Sequence, residues 1–177
     1  MNNHSLGLKR GTVELLDHDK NWETIAQNTM IILKKILKEE IIAIEHIGST
    51  AISTIKAKPI IDLVVGVNDL SKIIQFNEQL EQANILYRGP EHENQLLYVM
   101  TDFENDTRTH HIHVVKYQSI EWENYLYFRD TLNQNKDIAL EYQQLKENLS
   151  KQYRNDRISY TLGKQAFIDQ ILKTKKA

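Results

Sequence analysis

The sequence predicts an α/β protein in which strands and helices mix over roughly residues 10–118 and helices alone follow. Three observations predict it. Short β-branched runs, Ile41–Ile47 and Ile60–Val67, sit between segments with helical spacing. Two alternating segments, Asn94–Phe103 and Thr109–Tyr117, are separated by Glu104–Arg108, whose composition suits a hairpin turn. From Glu121 onward only helical periodicity remains. With two prolines and six glycines in 177 residues, the elements should be long and the loops few.

Taken in order, Gly11–His18 alternates polar and apolar residues and predicts a short strand. Asp19–Glu40 places Trp22, Ile25, Met30, Ile32, Leu33, Ile36 and Leu37 on one helical stripe, capped by Asp19 or Asn21. Strand Ile41–Ile47, turn Gly48–Thr54 and strand Ile60–Val67 follow, and then an amphipathic helix over 69–85 opened by Asn68 or Asp69. After the two alternating strands come three helices over 122–135, 136–153 and 156–176, with Leu132, Ile138, Leu140, Tyr142, Leu145 and Leu149 expected to face the core. The division is residues 1–118 as the α/β core and 119–177 as a C-terminal helical region packed on it in one structural unit.

Composition narrows the function. Hydrophobic content of 41% and charged content of 26% suit a soluble globular chain. A net charge of −2 excludes an extended nucleic-acid surface while allowing a local basic pocket. The absence of cysteine removes disulfides, thiolate metal sites and cysteine nucleophiles together, and suits a reducing compartment. No run approaches the roughly 18 apolar residues of a membrane span, and the N-terminus lacks a signal pattern. The expectation is a cytoplasmic protein with no membrane partner; oligomeric state is not encoded in these features.

Chemistry concentrates between Glu45 and Val67. Gly48 permits a sharp turn and close backbone approach to a ligand. Ser49 and Thr50 add hydroxyls and N–H groups suited to phosphate oxygens. Lys56 and Lys58 stand where a cation would neutralise phosphate charge. Asp62 interrupts an otherwise apolar strand, and a lone carboxylate there costs several kcal/mol unless it meets a cation or donors. A plain tight turn and a structural aspartate bonded to backbone N–H groups are the alternatives at these two places.

Glycine and serine after a hydrophobic strand, a dozen residues, then aspartate within a second strand resemble the signature of the nucleotidyltransferase superfamily. More narrowly, EHIGSTAI, KPIIDLVVGV, HHIHVV and FRDTL, in that order, resemble the GrpB-like family over about residues 10–170. The resemblance implies a mixed β-sheet of nucleotidyltransferase type flanked by helices. It implies a nucleotide or phosphate ligand, and a transferase if catalysis persists. It implies Mg²⁺ or another divalent metal at Asp62. Val64 stands where active members usually carry a second acid, and histidines stand where a third is expected, so the carboxylate set is incomplete. Fusion of the domain to dephospho-coenzyme-A kinase in some bacteria implies the alternative of a non-catalytic accessory or regulatory module near coenzyme-A metabolism.

Strand alternation places His111 and His113 on one face and His110, Ile112 and Val114 on the other, with Ile112 and Val114 toward the core; the expectation is that Asp62 shares the histidine face and that His46 joins it. These imidazoles suit acid–base chemistry or phosphate contact; a His/His/Asp zinc site is the rival arrangement. Arg129 in FRDTL is a phosphate clamp if it follows the family and surface decoration if it pairs with Asp130 or Glu123. The resemblance adds Lys146, Tyr160 and Lys164, with Lys164 toward the cleft.

Overall fold

Every strand among the described residues enters one sheet. The computed structural model describes residues 6–9 and 11–175; the first five residues, and Lys176 of the basic C-terminal end, lie outside the described residues. The order is β1 (Leu8–Lys9), α1 (Asn21–Leu37), β2 (Ile41–Ile47), β3 (Ile61–Val67), α2 (Leu70–Ile73), α3 (Asn77–Gln82), β4 (Ile85–His92), β5 (Gln95–Asp102), β6 (Thr107–Lys116), α4 (Ile120–Gln134), α5 (Lys136–Gln152), α6 (Arg157–Gly163) and α7 (Gln165–Lys173). The sheet runs β2-β3-β6-β5-β4, with β1 pairing β6. Its β3–β6 pair is parallel and its other pairs are antiparallel. The α/β mixed sheet with flanking helices is therefore present. No helix among the described residues is long and apolar enough to cross a membrane.

Two faces of the sheet are covered differently. On one, α1 lays down Trp22, Ala26, Leu33 and Leu37 against Ile61, Leu63, Val65, Ile112 and Val114. Burial of each large apolar side chain there contributes about 1.5–3 kcal/mol. On the other, α4 covers only part of the strands, through Trp122 over Ile47, Val64 and Val115. The remaining helices form a separate cluster around Ile52, Ile55, Leu132, Ala139, Tyr142 and Ile171. A hollow is left between that cluster and the sheet.

Several expectations need correction. Gly11–His18 is not a strand: it makes one isolated bridge, Leu16 with Ala57, and Val13 N–H donates to Arg154 O at 3.0 Å. Its alternation fits it beneath the helices instead of into the sheet. β4 has no counterpart among the predicted strands, and it carries Gly89-Pro90, a pair that ordinarily interrupts a strand. It lies at the sheet edge, where proline is tolerated, and two bulges absorb the pair. The helix expected over 69–85 breaks into α2, a 3-10 turn and α3, with Asp69 accepting from Ser71 N–H at 2.9 Å. Asp19, not Asn21, makes the turn that leads into α1. Ile32 and Leu140 face outward.

Candidate functional site

The turn after β2 and the carboxylate of β3 meet. Gly48 has φ +70°, and a Cβ there would overlap Asp62 Oδ2 and lie 2.9 Å from Asp62 Cβ. Both the backbone conformation and the neighbouring acid therefore demand glycine. Ser49–Ala51 forms a 3-10 turn, closed by Ala51 N–H donating to Gly48 O at 3.2 Å.

Register does the next part of the assembly. On the parallel β3–β6 pair Asp62 stands opposite His111 and Val64 opposite His113, so pleating sends both histidines and the acid to one face. His111 Nδ1 lies 2.9 Å from Asp62 Oδ1, and Arg157 Nη2 from the start of α6 lies 2.8 Å from His111 Nε2. A guanidinium only donates, so Nε2 must accept and the ring proton sits on Nδ1, donating to Asp62. His111 is thereby a neutral imidazole: burial lowers its pKa, against the pull of Asp62. Burial by itself would raise Asp62, but the hydrogen bond from His111, and the positive charge around it in the acid range where the carboxyl titrates, outweigh burial and hold it at about 2.

Cations surround this chain. Lys58 and Lys164 place their ammonium groups 5.0 and 4.9 Å from the Tyr160 ring centre, and Lys146 stands 4.9 Å from that of Tyr142 while donating to Lys56 O at 2.5 Å. Among the described residues, neither these lysines nor Arg157 forms an ion pair with a carboxylate. Burial, then the neighbouring cations, lowers Lys58 and Lys146 to about 7, and burial lowers Lys164 and Arg157 as well. Positive charge is being held out of water with too little negative charge to balance it.

All of these groups line one cavity of about 660 Å³. Its other end is built by Glu91, Gln95, His113 and Tyr125. His113 Nδ1 lies 3.0 Å from Gln95 Nε2 and 3.1 Å from Glu91 Oε2, with its ring against Tyr125. The hydrogen bond to His113, above all, lowers the Glu91 pKa in spite of burial.

Of the residues singled out in the sequence, Gly48, Ser49, Thr50, Lys58, Asp62, His111, His113 and Lys164 share this cavity. His46 and Arg129 do not line it. His46 Nε2 pairs with Thr50 Oγ1 at 2.9 Å behind the turn, and burial lowers its pKa to about 4. Arg129 donates to Glu45 Oε2, His46 O and Asp130 Oδ1 at 2.8, 3.0 and 2.7 Å, pinning β2 to α4. Sequence reasoning missed Arg157, Glu91, Gln95 and Tyr125, and took Tyr142 as core alone; in sequence, nothing separates Arg157 from any other helix-opening arginine.

The divalent ion expected at Asp62 meets a poor donor set. No group of three or more potential ligands occurs among the described residues. Asp62 Oδ1 is taken by His111, both His111 nitrogens are engaged, and Val64 is fully buried under Trp122. The surrounding cations repel a metal further. These residues do not fit a resident divalent ion.

Comparison with known proteins gives consistent kinship. The family described as GrpB protein matches residues 12–174. Glutamate-rich protein GrpB of Alkalihalophilus pseudofirmus is 42% identical over 170 residues, covering 94% of this chain and 98% of the relative. YqkA of Bacillus subtilis is 33% identical over 88% of this chain, which spans 45% of that longer relative. The crystal structure of GrpB from Enterococcus faecalis superposes with a TM-score of 0.83 at 30% identity, over 90% of this chain and 95% of that one. The Cid1 poly(U) polymerase superposes with a TM-score of 0.57 at 15% identity, over 84% of this chain and 49% of that one, a likeness of nucleotidyltransferase fold alone.

Proposed function

This chain belongs to the GrpB family, and from that membership and the charge of its cleft we propose that it binds a nucleotide or a related phosphate-bearing small molecule. One observation carries the reading: Lys58, Lys146, Arg157 and Lys164 line one cavity with the Gly48–Thr50 turn and, among the described residues, form no ion pair with an acid. Buried like charges repel, and an anionic ligand relieves both the repulsion and the lost hydration. In this scheme the backbone N–H groups of the Gly48–Thr50 turn and the Ser49 hydroxyl meet phosphate oxygens, and Lys58, Arg157 and Lys164 neutralise them; the Thr50 hydroxyl is held by His46 and Ile60 O. Tyr125, Gln95 and His113 face the non-phosphate part of the ligand. The fold neighbour Cid1 has a structure with Mg 3′-dATP bound, which motivates nucleotides as first ligands.

A second reading, a binding or regulatory module without turnover, is favoured by the buried Val64 at the second acidic position. Should turnover occur, His113 is the acid–base group of the cleft, since both nitrogens of His111 are engaged.

Calorimetry of the purified chain against ATP, GTP, CTP, UTP and coenzyme-A precursors, with and without Mg²⁺ or Mn²⁺, tests the proposal. Micromolar binding of at least one, weakened about tenfold or more by Lys58→Ala or Lys164→Ala, is expected. Absence of binding by all of them at millimolar concentration would end it. Product formation from any bound nucleotide separates the transferase from the binding module.

A further inference from the structure

We infer that Asp62 is not a metal ligand here but a positioning carboxylate that acts through His111 on Arg157, and that the cleft takes its polyphosphate as a bare anion, with Lys58, Arg157 and Lys164 in place of a divalent ion. The inference rests on the phosphate-binding reading of the cleft and gives it a definite ligand form.

The geometry of three side chains carries the first half. Arg157 donates through Nη2 to His111 Nε2 at 2.8 Å, and His111 lies 2.9 Å from Asp62 through Nδ1. Because the guanidinium has no acceptor, the direction of both bonds is fixed. Asp62 thus sets the tautomer, the tautomer presents a lone pair at Nε2, and that lone pair holds one edge of the Arg157 fork. The rest of the fork has no protein partner among the described residues and opens on the same cavity. A planar fork already held on one edge suits bidentate capture of phosphate oxygens. An aspartate committed in this way has Oδ1 in a hydrogen bond and Oδ2 against the Gly48 backbone.

Charge carries the second half. Within one cavity, Lys58, Arg157 and Lys164 form no ion pair with a carboxylate among the described residues; the single charge of Asp62 reaches all three, and Glu91 is engaged with His113 at the far end. A divalent ion entering beside them adds to the repulsion. A polyphosphate stripped of its metal carries more negative charge than its magnesium complex and matches the cluster better. The cations therefore perform the neutralisation that a metal performs elsewhere.

Calorimetry on the full chain with pyrophosphate and with ATP, each in EDTA and in millimolar magnesium, tests the inference. Both probes should bind in EDTA at least as tightly as in magnesium. Arg157→Gln should weaken binding in EDTA about tenfold or more. Asp62→Asn should bind as tightly as the wild type or more so, because its amide oxygen still accepts from Nδ1–H and one negative charge has gone. Ring ¹⁵N shifts should report the Nδ1–H tautomer of His111 in the wild type and in Asp62→Asn, and a mixture in Asp62→Ala. Tightening of either probe by tenfold or more on adding magnesium overturns the inference. So does loss of binding by an Asp62→Asn protein that melts like the wild type. Binding that requires magnesium overturns it while leaving the phosphate-site reading intact; binding of neither probe under either condition overturns it outright.

Discussion

His110 and His111 are adjacent in β6 and occupy opposite faces of the sheet. His110 points at α1, where its Nε2 lies 3.1 Å from Thr29 Oγ1 and its Nδ1 lies 2.9 Å from Thr109 Oγ1. Thr29 gives its own proton to Ile25 O at 3.2 Å, so its oxygen accepts from His110 Nε2–H. Two neutral hydroxyls thus satisfy a neutral ring, and burial lowers its pKa to about 4. His111 instead joins a carboxylate to a guanidinium, in company with lysines that form no ion pair with a carboxylate among the described residues and that outnumber the one nearby acid, Asp62. The same residue type closes its polarity locally on one face and leaves a charge imbalance standing on the other. Imbalance, not polarity, is what distinguishes a site from a well-satisfied core.

The sharpest way to break this contrast is to truncate one side chain on each face. Ile112, fully buried against α1, should cost about 2–5 kcal/mol as Ile112→Ala, through lost apolar burial and the cavity left behind. Lys58→Met on the cleft face should leave chemical-denaturation stability unchanged or raise it, because an unpaired buried cation gives way to an apolar side chain of similar length. It should nevertheless lose phosphate binding. Urea unfolding paired with calorimetry on the two variants checks both directions. A Lys58→Met protein destabilised as much as Ile112→Ala would show that the cleft lysines serve the fold.

A smaller, pH-dependent effect sharpens the same comparison. Lys58 and Lys146 have pKa values of about 7 in the folded chain against an ordinary 10.5. Between those limits the unfolded chain holds more protons, so stability contributed by these groups rises with pH, and below pH 7 the folded chain bears both buried charges. Asp62 acts in another window: with a folded pKa of about 2 against 3.8, its stabilisation is present above pH 3.8 and lost as the pH falls through 2. From pH 7 to 9 the wild-type melting temperature should climb relative to a Lys58→Met/Lys146→Met double variant. Saturating pyrophosphate should flatten that difference by restoring the lysines' charge. Parallel melting curves for the two proteins across this range would remove the lysines as carriers of the imbalance.

What was legible in the sequence follows from the same physics. A strand's alternation is local, so Asp62, His111 and His113 could be assigned to one face, and His110 with Ile112 to the other, before any tertiary contact was known. The Gly48 turn was legible because few residues tolerate it. Arg157 was not, because its role arises only when α6 docks 46 residues downstream of His111 in sequence. The lysines at 58, 146 and 164 were legible one by one, Lys58 from its place before the strand and the other two from the family resemblance, but no spacing rule joins them into a cluster. Strand assignment failed where local signals misled: Gly89-Pro90 hid an edge strand, and the alternation of Gly11–His18 served packing under the helices.

Arg129 tests the boundary of the site with the smallest expected effect. It is the arginine that the family motif pointed to, yet its guanidinium is spent on Glu45, Asp130 and the His46 carbonyl, outside the cavity. Its carboxylate partners are 42% and 47% exposed, so solvent screens both pairs. Arg129→Ala should therefore cost no more than about 1 kcal/mol of stability. It should leave pyrophosphate affinity within about twofold of the wild type, whereas Arg157→Gln lowers it tenfold or more. A large loss of affinity in Arg129→Ala with unchanged stability would extend the site through the β2 edge to His46 and Thr50, making the neutral His46–Thr50 pair part of how the phosphate turn is held.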